Sequence, residues 1–134
     1  MVRQQLSRRS VLTTAAAVPA ALAGCLQEGH CETVIDRTER VDRNSIRVYD
    51  TAAEAGYRLY IRFERIDGPA ARLSVFDPTE TPILQLQGVD RLERRLDITD
   101  PGRYSVVVGN DSTADHARWR MTVVVYQGWC PDVF

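Results

Sequence analysis

The stretch from Tyr57 to Ile66 (YRLYIRFERI) constrains this chain more than any other. Tyr57, Leu59, Ile61 and Phe63 fall on one face of an extended strand. Arg58, Tyr60, Arg62 and Glu64 fall on the other. A period of two is the signature of a half-buried β-strand. One apolar face cannot be buried by a single sheet, so a second layer must cover it.

The rest of the chain repeats the pattern at short intervals. Ser45–Tyr49 alternates, with Ile46 and Val48 on one side, and Thr33–Val41 is a mixed, weaker version. Ala52–Gly56 reads as a connection. Asp67-Gly68-Pro69 is a turn, and Ala71–Phe76 is the partner strand with Leu73 and Val75 inward. The prolines of Asp77–Pro82 exclude a central strand there. Ile83–Leu86 and Leu92–Ile98 alternate around Gly88-Val89-Asp90. Asp100-Pro101-Gly102 turns the chain into Tyr104–Val108, and the polar loop Gly109–Thr113 leads to Trp119–Tyr126. Trp119, Met121, Val123 and Val125 share a phase, and Trp129 is expected to pack over its neighbour Cys130. No segment of this part shows helical periodicity. The expected fold is an all-β antiparallel sandwich, jelly-roll or Greek-key-like, of about seven or eight strands.

The cadence YRLYIRF, LSVFDP, RRLDI and DPGRYSVVVGN resembles the small sandwiches of bacterial pre-peptidase C-terminal domains and Golgi-dynamics domains. Gly102-Arg103-Tyr104 matches the Gly-x-Tyr strand that packs the core in those families, and Phe76-Asp77-Pro78 matches an earlier turn. The resemblance implies a binding or accessory module without catalytic residues.

The N-terminal stretch carries an address. Ser7-Arg8-Arg9-Ser10 precedes an uncharged, Ala-rich run of 13 residues from Val11 to Ala23, closed by Gly24-Cys25. A helix of that length spans about 20 Å, short of the ~30 Å hydrocarbon core of a bilayer. Arg8 and Arg9 resemble a twin-arginine export motif, and Leu22-Ala23-Gly24-Cys25 resembles a lipobox. The combination is similar to secreted lipoproteins of halophilic archaea. It implies loss of residues 1–24, a lipid on Cys25, a tether over 25–30 and one domain over 31–134, held at the outer face of the cell membrane. Two chains are implied, such as a diacylglyceryl or archaeol-type group, since one binds membranes only marginally.

After residue 24 the chain has 110 residues, enough for one domain, with 14 arginines against 18 acidic residues and a net charge of −4. Lysine is absent and no extended basic tract occurs, so nucleic acid is excluded as the expected partner. With Cys25 assigned to lipid, Cys31 and Cys130 remain. Outside the cell an even pair reads as a disulfide, the alternative being two separate thiols. Closing a loop of about 100 residues contributes on the order of 4–5 kcal/mol in the chain-entropy model.

Candidate chemistry is sparse. His30, His116 and Met121 lack the cysteine order of a blue-copper site. Asp90, Asp97, Asp100, Asn110, Asp111 and Asp115 offer oxygens for calcium but form no Asp-x-Asp-x-Asp-Gly loop. No Gly-x-Ser-x-Gly elbow is present. No cofactor and no enzymatic activity are expected. The outward stripe Arg58, Tyr60 and Arg62 is a candidate recognition surface, because Arg and Tyr are enriched at binding hot spots. Paired arginines on an exposed strand are the alternative reading. The expected function is a lipid-anchored, extracytoplasmic binding or accessory module with a protein partner at the cell envelope. The alternative is a structural subunit of an envelope or membrane complex.

Overall fold

The computed structural model describes residues 29–134. Arg8, Arg9 and Cys25, and with them the export and lipid expectations, lie outside the described residues. Eight strands follow in order: β1 (His30–Val41), β2 (Ser45–Ala53), β3 (Arg58–Asp67), β4 (Ala71–Phe76), β5 (Pro82–Val89), β6 (Arg91–Asp97), β7 (Gly102–Asn110) and β8 (Ala117–Gln127). A short 3-10 turn, Pro131–Val133, ends the chain. The first strand already takes in His30, which the sequence places in the tether.

The strands form two four-stranded antiparallel sheets, β1-β8-β3-β6 and β2-β7-β4-β5. The chain changes sheet at every connection except the β4–β5 hairpin. This strand order is the eight-stranded jelly roll. The expected sandwich is therefore present, and its strand number lies at the upper end of the expected range.

Alternation decides which face goes inward. Leu59, Ile61 and Phe63 of β3 are buried between the sheets beside Trp119, Met121, Val123 and Val125 of the neighbouring β8, against Leu73, Val75, Val106 and Val108 of the facing sheet. The Trp119 indole packs edge-on to Phe63 at 5.4 Å and donates its N–H to the Pro69 carbonyl at 3.0 Å. A buried indole N–H left without that acceptor would be costly. Tyr104 is core as the Gly-x-Tyr resemblance implies, and its hydroxyl donates to the Asp100 carbonyl at 2.6 Å.

A second, smaller core lies outside the sheets. The segment after β8 folds back over the outer face of β8 and β3. There Tyr60, Val124, Tyr126, Cys130 and Val133 are buried together. The Cys31–Cys130 disulfide, with Cα atoms 5.4 Å apart, fastens this tail to the start of β1. Arg95 of β6 donates to the Val133 carbonyl at 2.6 Å, and the Thr33 hydroxyl donates to Asp132 at 3.3 Å.

The exposed edges carry charge. The outer strand β1 presents Arg37, Glu39 and Arg40 and is bulged between Thr33 and Ile35; β6 presents Arg91, Glu93, Arg94 and Arg95. Charge and bulges discourage further strand addition. This explains why Thr33–Val41 reads weakly as a strand: it is an edge, and polarity there is protective.

Candidate functional site

The stripe Arg58, Tyr60 and Arg62 does not exist as one surface. The three share the outer face of β3, but Tyr60 is only 2% exposed, lying under Val133 and Cys130. Its hydroxyl donates to Glu93 at 2.7 Å and the Arg95 guanidinium lies over its ring at 5.0 Å. Burial, then the hydrogen bond to Glu93, raises its phenol above the ordinary value. Arg58 is held by Asp97 at 2.9 Å. Of the three, Arg62 alone is both exposed and outside the ion pairs among the described residues. The sequence pattern correctly sets the face and misses the tail that covers it.

Trp129 departs from expectation too. Rather than packing over the disulfide, its ring stacks on Phe134 at 5.3 Å and 11°, and the two side chains stay 66% and 64% exposed.

The sites weighed for metals are dispersed. His116 lies in an exposed loop whereas Met121 is core, five positions further along an extended strand, or about 16 Å. His30 stacks on Tyr57 at 5.0 Å, at the other end of the sandwich. Of the six calcium candidates, Asp90 pairs with Arg65 at 2.6 Å, Asp97 with Arg58 and Asp111 with Arg72 at 3.0 Å. Asn110 is buried and spends its amide on main-chain carbonyls. The six do not converge on one point.

What the fold does gather is a cluster of arginines at the end remote from Gly29 and the residues after β8. There β1 turns into β2 through 42–44, and β7 turns into β8 through 111–116. Asn110 locks the two turns together. Its amide donates to the carbonyls of Val41 and Asp42, both at 3.2 Å, and of Asp115 at 2.9 Å, while its oxygen accepts the Ser112 N–H at 3.0 Å. Asn44, at φ 54°, donates its N–H to the Ser112 carbonyl at 2.8 Å. Asparagine tolerates that left-handed conformation better than most residues. The Ser112 hydroxyl caps the loop by accepting from the N–H groups of Ala114 and Asp115.

On this frame Arg40, Asp42, Arg43, Ala114 and His116 line an open concavity of about 390 Å³. Arg40 is the direct cross-strand partner of Arg118, so two like charges share one face side by side. Such a pair costs stability rather than adding to it. Arg40 reaches Asp42 at 3.5 Å. Among the described residues Arg43 and Arg118 enter no ion pair and both are exposed. In a domain of net negative charge, Arg40, Arg43, Arg72 and Arg118 outnumber Asp42, Asp111 and Asp115 by one at this end, so a slight positive excess surrounds a preformed hollow. Such a hollow is suited to carboxylates or other anionic groups. It offers no nucleophile paired with a base.

The arginines are separated by up to 78 positions in the chain, so sequence reading missed them as a set. The one local sign is the recurrence of Arg40 and Arg43, the first near the end of β1 and the second in the turn that follows.

No protein-family model and no curated protein matches this chain by sequence. Among solved structures, the fold is similar to that of Aeromonas hydrophila PliG, a periplasmic lysozyme inhibitor of g-type lysozyme. The TM-score is 0.53 at 14% identity, over 72% of this chain and 87% of that one. A match to a structure of infectious bursal disease virus, Gt strain, has a TM-score of 0.43 at 10% identity, over 75% of this chain and 32% of that one. At such identities the likeness to PliG is one of fold.

Proposed function

We propose that this protein is an exported, lipid-anchored display module that binds an acidic protein surface through its distal arginine cluster. The observation that carries the reading is polarity. The described chain enters at Gly29, at one end of β1, and the arginine-lined hollow sits at the other end, after Val41. Twelve residues of strand separate them by about 36 Å. A lipid on Cys25 would hold one end at the membrane and leave the hollow facing outward. The disulfide supports an oxidising, extracytoplasmic location. A fold shared with an inhibitor of an enzyme is in keeping with a partner that is itself a protein. The module's work is binding, with rigid loops and free guanidinium groups, and involves no bond making.

The experiment is a cross-linked pull-down from native membranes. It compares the wild-type chain, Arg40→Glu with Arg43→Glu, and Cys25→Ser. The expected result is a partner lost on double charge reversal and depleted from the membrane fraction with Cys25→Ser. Retention of the same partner by the charge-reversed protein would overturn the distal cluster as its site.

A second reading, a structural subunit of an envelope complex, is favoured by the outer face of the β2-β7-β4-β5 sheet. There Ile46 and Val48 are about half exposed, at 50% and 48%. Val48 lies opposite Val107, which in turn lies opposite Ser74, so the middle of this face carries no charge. Stoichiometric co-purification that survives Arg40→Glu with Arg43→Glu and is lost on Val48→Arg would establish this reading instead.

A further inference from the structure

The exposed Trp129–Phe134 pair has no role in the fold or in the distal cluster, and its placement says what it meets. Both rings stand at the end of the sandwich where the chain enters. A Cβ added to Gly29 would lie 2.5 Å from the Gln127 carbonyl oxygen and 2.7 Å from that of Trp129. The last residue before β1 therefore runs against the backbone of Trp129 itself. From Gly29 back to Cys25 is four Cα steps, which reach at most about 14 Å when fully extended. A lipid on Cys25 would thus hold Gly29, and the Trp129 backbone beside it, within about that distance of the headgroups.

We propose that Trp129 and Phe134 form a membrane-interface contact that seats this end of the domain on the bilayer. The inference rests on the Cys25 anchor proposed above. The pair is mounted rigidly. Cys130 is bonded to Cys31, Asp132 accepts from Thr33, and Arg95 both donates to the Val133 carbonyl and lies 5.5 Å from the Phe134 ring centre. Tyr126 meets Phe134 edge-on at 5.8 Å from beneath. Two large rings, stacked and mostly exposed, would be a poor surface in water, whereas the membrane interface accepts the amphipathic Trp129 indole and the apolar Phe134 ring beside it. Arg95 behind them suits the phosphate level of that region, while Arg58 on the same sheet face is held by Asp97. The contact would orient rather than retain the protein. It fixes the strand axis so that the arginine hollow points away from the membrane.

The test uses the mature protein purified from membranes, with its intact mass measured first. The protein is placed in phosphatidylcholine–phosphatidylglycerol vesicles, with and without bromine on the acyl chains. The chain has two tryptophans, and Trp119 is 2% exposed inside the sandwich, so Trp129 is the one that lipid bromine can reach. The expected result is an emission about twofold weaker in brominated vesicles, with that response abolished by Trp129→Phe. Equal emission in both vesicles, together with quenching of Trp129 by aqueous iodide, would overturn the contact. A mass without lipid would overturn the anchor and, with it, the contact that rests on it, whereas a lipidated chain with equal emission in both vesicles overturns the contact alone.

Discussion

Asn110 is 1% exposed, and its amide serves three carbonyls from two different turns. Asn110→Ala removes those donors and leaves buried carbonyls short of partners. The expected loss is about 2–3 kcal/mol in urea unfolding, with weaker partner capture because the distal hollow loses its frame. A loss under about 0.5 kcal/mol would show the amide to be dispensable. Asp77 organises the loop at the opposite end. It accepts the Thr79 hydroxyl at 2.7 Å and the N–H groups of Thr79 and Thr81, both at 2.9 Å. The Thr79 hydroxyl first, then the two N–H groups, hold its carboxyl below the ordinary 3.8. A carboxyl depressed in the folded state adds stability above its unfolded value, and that contribution disappears as pH falls through the lower native one. Carboxyl NMR titration should place the Asp77 midpoint below 3.8, and Asp77→Asn should remove that acid-side dependence. A midpoint at or above 3.8 would contradict the role. Asp77 was legible as a turn residue from Phe76-Asp77-Pro78. The Asn110 lock was not, because its acceptors belong to residues about 70 positions upstream as well as to a near neighbour.

Among the elements, β8 shows best what pattern reveals and hides. Its run Met121–Tyr126 is buried at both parities, with Met121, Val123 and Val125 inward and Val124 and Tyr126 outward. A strand apolar in both phases needs covering on both faces. The inward set was readable from its alternation. The outward cover was not, since residues 128–134 have no periodicity of their own and are held by a disulfide and by polar contacts with β1 and β6. For the same reason Tyr60 looked like a surface residue. Joint Cys31→Ser and Cys130→Ser replacement should free this tail. The expected cost is about 2–5 kcal/mol in chemical unfolding, with exposure of Tyr60 and Val124 seen as increased binding of a hydrophobic dye. Unchanged dye binding would mean the tail stays seated through Val133 and Arg95 alone.

At the scale of the whole molecule, turn punctuation made two β layers legible. Strand order was not, because β1 pairs with β8 across the entire chain and nothing local encodes that choice. The distal cluster exists only through this pairing, which sets Arg40 against Arg118. It also makes β1 the strand that joins the two ends of the domain. Its ladder with β8 runs from His30–Gln127 to Val41–Ala117, parallel to the line between the proposed anchor and the proposed binding site. If a partner held at the far end is pulled while the lipid holds the near end, the load passes along β1. The hydrogen bonds of that ladder are then strained together in shear, not peeled one after another. Loaded in that way the rungs share the force at once, and the Cys31–Cys130 bond sits at the end where the load would enter.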